Sequence, residues 1–286
     1  MRFLGVILLC FAAIGCSHKV LPAADSASDS ASNAPVDSVI SILDSKLDEY
    51  LSQMTYLTPE EKSQECDFLM SAVSDSIVRN HVAVHLYEKY STSNLMGDEA
   101  VAIYLTDNWF VPGKVSFEDY ASLATARIFA DFNRQSLLGM RVPELVALTP
   151  DGTPANVLPS DGRLKVLFIF DTTCATCKLE TALLEEYFSS YNGANGFDFI
   201  AFYAGADAAS WEQWRNSHFT SLAKEKADGK VTISHYWDPE VESDFQRKFG
   251  VLSTPKIFLI DEEGLIVGRR LDSQALARLL QVYDLE

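Results

Sequence analysis

Hydrophobic residues after position 37 recur at three- and four-residue intervals, as in Ile40, Leu43, Leu47, Tyr50 and Met54, which is the spacing of one helix face. Thr58-Pro59-Glu60-Glu61 supplies an N-cap, a first-turn proline and an acid at the third position, and Ser116-Phe117-Glu118-Asp119 repeats that start signal in weaker form. Further helical runs occupy Asp75 to Lys89 and Asp98 to Trp109, so the stretch from Val39 to Arg134 predicts four or five helices. Near Leu138 the pattern changes: Val142-Pro143-Glu144-Leu145-Val146-Ala147-Leu148 runs into the turn Pro150-Asp151-Gly152, the mark of a short hairpin. Strand-like runs follow at Lys165 to Phe170, Phe197 to Tyr203, Lys256 to Asp261 and Leu265 to Arg269. Helical stretches lie at Lys178 to Ser190, Ser210 to Lys226, Pro239 to Phe249 and Gln274 to Tyr283, the third with Asp238 as N-cap and Gly250 past its end. This order predicts an α/β sandwich preceded by an all-α domain.

The N-terminus adds a compartment. Arg2 precedes a short apolar run from Phe3 to Ile14 that ends in Ala13-Ile14-Gly15-Cys16, an export signal too short to span a bilayer. The small residues before Cys16 resemble a bacterial lipoprotein lipobox, which implies cleavage before Cys16 and lipid attachment there; the alternative is an ordinary secretory signal with Cys16 incidental. Residues 17–37 are dominated by Ser, Ala and Asp without apolar periodicity, the composition of a flexible tether. Residues 1–16, 17–37, 38–137 and 138–286 are therefore expected to be signal, tether, helical domain and α/β domain. No other segment is apolar for the 18 or more residues a spanning helix needs. The formal charge of −17 argues against nucleic acid as a partner, and none is expected.

Candidate chemistry concentrates in Cys174-Ala175-Thr176-Cys177, between an apolar strand-like run and a helical one. A Cys-x-x-Cys pair at such a junction reads as a redox dithiol. The first sulfur sits where free N–H groups and the helix dipole stabilise a thiolate, and the second is one turn in, within reach of a disulfide. Half of a zinc site and an inert structural disulfide are the alternatives, the former weakened by the presence of only 5 cysteines and no second Cys-x-x-Cys. Cys66, in a helical stretch, reads as a small buried apolar residue or else a resolving thiol. His81 and His85 share a helix face, but residue 82 is Val, so the glutamate of a zinc-protease motif is missing. No metal site and no cofactor are expected.

The C-terminal half resembles the thioredoxin family, and within it the exported, membrane-anchored thiol-disulfide oxidoreductases of the cytochrome-maturation type. The likeness is carried by Gly139-Met140-Arg141-Val142-Pro143-Glu144 with Asp151-Gly152, by the strand and Cys-x-x-Cys, by Ser253-Thr254-Pro255, and by Ile257 to Gly264. It implies a thioredoxin-like α/β sandwich in which Cys174 and Cys177 exchange disulfides with protein substrates. It also implies a cis Pro255 beside the sulfurs, with Thr254 pairing the substrate backbone; the alternative is a strand-initial trans proline. Glu180, three residues after Cys177, matches a glutamate that tunes the pair in related reductases, where a partly buried carboxylate relays a proton. Read by itself it is equally an exposed acid favoured by the helix dipole.

The match has departures. Phe168 stands where thioredoxin keeps a buried acid, Thr173 where it has tryptophan, and Ala182 where it has a helix proline. Asp171 adds a negative charge three residues before Cys174, which disfavours its thiolate if the carboxylate points that way. A peroxiredoxin would need a threonine or serine at Asp171 and a proline at Leu167, so peroxidase chemistry is not expected. The expectation is a lipid-anchored oxidoreductase facing the periplasm of a Gram-negative-type cell envelope, acting in the reducing or isomerising direction and recharged by a membrane redox partner. The competing class is a non-catalytic thioredoxin-like binding module with a structural disulfide.

Overall fold

The computed structural model describes residues 34–193, 195–220 and 230–284. The signal, Cys16 and most of the expected tether lie outside the described residues. The helix expected over Ser210 to Lys226 ends already at Ser217, because His218 turns extended and Phe219 takes φ of +56°. Compactness divides the chain between His85 and Leu86, inside a helix, and not at the compositional change near residue 137.

The first unit holds α1 (Ala34–Ser52), α2 (Pro59–Ala72) and the start of α3 (Ser76–Ser91). Thr58 and Glu61 form the expected capping box: Thr58 Oγ1 accepts from Glu61 N at 3.2 Å and Glu61 Oε2 accepts from Thr58 N at 2.8 Å. Leu47, Leu51, Met54, Leu69, Met70 and the fully buried thiol Cys66 form its apolar interior. His81 and His85 face carboxylates, with Nε2 of His81 2.6 Å from Asp44 Oδ1 and Nε2 of His85 3.1 Å from Asp48 Oδ1. Among the described residues no group of His, Cys, Asp and Glu is arranged to hold a metal ion, and no helix is long and apolar enough to cross a membrane.

In the second unit, α4 (Asp98–Leu105) continues as one π-helical turn, Thr106–Phe110, before α5 (Tyr120–Asn133). The cap of α5 is Asp119, which accepts from Ser122 N at 2.8 Å, and not Ser116. Seven strands follow: β1 (Val146–Leu148), β2 (Pro154–Asn156), β3 (Leu164–Phe170), β4 (Phe197–Tyr203), β5 (Val231–Trp237), β6 (Lys256–Ile260) and β7 (Ile266–Gly268). Their order is β2-β1-β5-β4-β3-β6-β7, with β3, β4 and β5 parallel and the remaining pairings antiparallel. Both faces of β3 are covered, as its uninterrupted apolar run demands. Val166, Phe168 and Phe170 pack with α6 (Ala175–Ser190), α7 (Ala208–Ser217) and α9 (Ser273–Tyr283) through Leu184, Phe188, Trp214 and Leu276. Leu167 and Ile169 pack on the other face with Phe202, Phe245, Phe249 and Phe258.

Two further expectations need correction. The helix expected over Pro239 to Phe249 is a single turn, α8 (Phe245–Lys248), preceded by irregular backbone. Asp238 accepts from Glu242 N at 3.1 Å and Ser243 N at 2.9 Å but caps no helix, the N-cap of α8 being Asp244; Val241 and Asp244 take φ of +56° and +55°, which no continuous helix tolerates. Strand β5 had no counterpart among the expected strands, although Val231-Thr232-Ile233 and Tyr236-Trp237 are β-branched and aromatic residues of the type strands prefer.

Candidate functional site

Strand β3 delivers the chain to the C-terminal edge of the parallel strands, where Asp171-Thr172-Thr173 turns it into α6. Asp171 Oδ1 accepts from Thr173 N at 2.7 Å and from Thr173 Oγ1, so this carboxylate is engaged in its own turn. Cys174 is the N-cap of α6, and its Sγ accepts the Cys177 amide at 3.0 Å. The two cysteines are joined as a disulfide with Cα atoms 5.2 Å apart. Cys174 is partly exposed while Cys177 is 1% exposed, so an incoming group meets the sulfur at the helix tip and not the one a turn inside.

Opposite α6, the loop into β6 brings up Thr254 and Pro255, whose shared peptide bond is cis. The Thr254 carbonyl oxygen lies 3.4 Å from Cys174 Sγ. In the reduced protein two dipoles act on this sulfur in opposite senses: the Cys177 N–H favours a thiolate, and the Thr254 carbonyl favours an S–H that donates to it. Cys174, Cys177, Thr254 and Pro255 are brought together in one site.

Glu180 lies farther along α6 and is buried at 8% exposure, which sets aside the reading of an exposed first-turn acid. Its Oε2 accepts the Ser273 amide at 2.8 Å, so the carboxylate holds the first turn of α9. That partner was not found in the sequence, though Asp272-Ser273 before an apolar periodic run is a helix-start signal. Phe168, at the position of thioredoxin's buried acid, is fully buried among aromatics, with ring centroids 5.3 Å from Phe170 and 6.1 Å from Phe199.

A Redoxin family model matches residues 137–277. The chain is similar in structure to a thioredoxin-like protein from Bacteroides caccae, at 10% identity and a TM-score of 0.63 over 85% of this chain and 84% of that one. It is also similar to the thioredoxin domain of a thiol-disulfide oxidoreductase from Bacteroides vulgatus, at 16% identity, TM-score 0.39, over 51% of this chain and 96% of that one. A thiol:disulfide interchange protein from Bacteroides sp. matches at 16% identity, TM-score 0.40, over 53% and 93%. No curated protein matches the chain. The sheet order, the Cys-x-x-Cys at the head of α6 and the matched family model together make residues 137–277 a Redoxin domain of thioredoxin-like fold.

Proposed function

We propose that this chain is a thiol-disulfide oxidoreductase of exported proteins, working in the reducing or isomerising direction. The observation that carries the reading is a disulfide with one accessible sulfur at a helix N-terminus, set against the cis Thr254–Pro255 bond. In the reduced protein the Cys174 thiolate attacks a substrate disulfide, forming a mixed disulfide and expelling one substrate thiolate, which takes up a proton. Cys177 then loses its proton and attacks Cys174 Sγ, which expels the second substrate thiolate. The substrate gains two electrons as a dithiol, and the protein is left with the Cys174–Cys177 bond. Thr254 offers its backbone to an extended substrate segment by strand addition.

Direction follows from the groups around Cys174. Ala175 and Thr176 bring no charge, Asp171 is turned to Thr173 and so is not aimed at the sulfur, and the Thr254 carbonyl favours the thiol, so the helix amide works against opposition. The thiolate is then only modestly stabilised, which suits a reductant better than an oxidant. A membrane dithiol protein would recharge the pair. Cleavage before Cys16 and lipidation there would tether the protein in the cell envelope facing the periplasm.

The test is insulin reduction by the full chain with a thiol donor, beside a Cys174→Ser control. Turnover that vanishes in the control supports the reading; equal turnover in both removes it and leaves a non-catalytic module.

A further inference from the structure

Beside Pro255 the acidic chain gathers cations. Lys256 follows Pro255 directly and lines a cleft of about 290 Å³ with Arg270, Leu271 and the segment Thr92-Ser93-Asn94. A second hollow of about 200 Å³ shares Lys256 and Arg270 and adds Arg269. No carboxylate lines either one. Arg269 has its own counter-charge, Glu99, at 2.9 Å. Among the described residues neither Lys256 nor Arg270 has a carboxylate within ion-pairing distance; Lys256 Nζ is 3.5 Å from Ser253 Oγ, and Arg270 donates from Nη1 to the Ser93 carbonyl at 2.6 Å.

Three features show that this arrangement is built and not incidental. Arg270 adopts φ of +54°, a left-handed conformation that a side chain rarely takes and that clusters where a site requires it. Its guanidinium is held 5.9 Å from the Phe129 ring, so its position is fixed from two sides. Burial, and after it the proximity of Arg270 and Arg269, pull the Lys256 ammonium below its usual range, and no carboxylate of the lining offsets these cations in a molecule of net charge −17. An anion entering it relieves that imbalance, whereas a neutral group does not.

We propose that this cleft receives an acidic side chain of the substrate polypeptide, an Asp or Glu flanking the cysteine that Cys174 attacks, and so selects protein disulfides in acidic sequence contexts. The proposal rests on the oxidoreductase reading for its place in a reaction. The adjacency supplies the geometry: Cys174 Sγ is 3.4 Å from the Thr254 carbonyl, and the cleft begins at the next residue. A substrate strand paired to Thr254 advances about 3.3 Å per residue, so side chains one or two positions from its cysteine come within reach of Lys256 and Arg270.

Binding tests it without turnover. A fluorescent cysteine-free peptide carrying two glutamates in a Gly-Ser background, and its glutamine counterpart, are titrated against the oxidised full chain by anisotropy at low and at 0.5 M salt. The expected result is binding of the glutamate peptide at least tenfold tighter than the glutamine peptide, with the difference erased by salt. Lys256→Gln with Arg270→Gln should reduce the preference to less than about twofold, and Lys256→Glu should turn it toward a lysine peptide, a gain that misfolding cannot imitate. Equal affinity for the glutamate and glutamine peptides, or a preference that survives the double substitution, overturns the inference. Failure of the insulin assay instead strikes the oxidoreductase reading and leaves the binding result standing.

Discussion

Replacing Glu99 with Gln removes the counter-charge of Arg269 while keeping its shape and one acceptor oxygen. Glu99 is 0% and Arg269 2% exposed, and Oε1 stands 2.9 Å from Nε. Burial pulls the guanidinium below its usual range and Glu99 holds it up, so the pair is a charge taken out of water and compensated at a single point. The other contacts of Arg269, to the Ser136 carbonyl at 2.7 Å and Asn133 Oδ1 at 2.8 Å, are neutral and survive the substitution. Leaving a buried cation without its partner costs roughly 3–5 kcal/mol, and the neutral oxygens of Asn133 and Ser136 that Arg269 keeps put Glu99→Gln near the lower end. For a body of the length of residues 86–286, each kcal/mol moves the melting temperature by roughly 2–4 °C, so the expected loss is about 6–12 °C. Arg269→Met should cost a comparable amount by stranding the carboxylate. Glu99→Met with Arg269→Met removes both charges and should recover most of the loss, a coupling the double-mutant cycle reads directly. Calorimetry of the oxidised protein is the assay. A shift under about 2 °C for Glu99→Gln, or additive losses in the double variant, would refute the reasoning.

Glu180→Ala strands the Ser273 amide at the start of α9 and should cost roughly 1–3 kcal/mol in urea unfolding, whereas Glu180→Gln keeps an acceptor and should cost under about 1. If Glu180 also relays the proton of Cys177, Glu180→Gln slows the resolving step in stopped-flow exchange at unchanged stability; an unchanged rate restricts it to holding α9. His235 is pulled down to about 4, first by burial and then by Arg215. Its unfolded value is about 6.5, so the stability it contributes as neutral imidazole is present above pH 6.5 and is lost as pH falls from there toward 4, by roughly 1–3 kcal/mol. His235→Phe should flatten that limb of the pH–stability curve, and an unaltered slope would remove the assignment. Metabolic labelling with an alkyne fatty acid should mark the wild type and not Cys16→Ala; equal labelling would refute the anchor.

The elements that could be read from sequence were those whose signals are local. The Thr58 capping box, the run of β3, the Cys-x-x-Cys and the β6–β7 hairpin each rest on a few adjacent residues, and each is where it was expected. Pro239 to Phe249 carries equally good start and stop signals, yet the left-handed backbone at Val241 and Asp244 breaks the helix; nothing in two ordinary side chains announces that. The site's long-range half was hidden for the same reason. Glu180 meets Ser273 and Arg269 meets Glu99 across 93 and 170 positions, distances at which only the fold decides who is adjacent. The helices α4 and α5 read as part of a separate domain because their periodicity differs from the sheet's. The buried Glu99 and Asn133 that link them to Arg269 look, in sequence, like ordinary helix-surface polar residues.

The measurement that bears most directly on dithiol exchange is capture of its intermediate. Cys177→Ser removes the resolving sulfur, so a reduced full chain offered a disulfide peptide should accumulate a covalent adduct, and peptide mapping by mass spectrometry should place it on Cys174. The adduct should be absent from Cys174→Ser and should dissolve on adding a small thiol. No adduct on Cys177→Ser, or one formed through Cys66 in its place, would contradict the account.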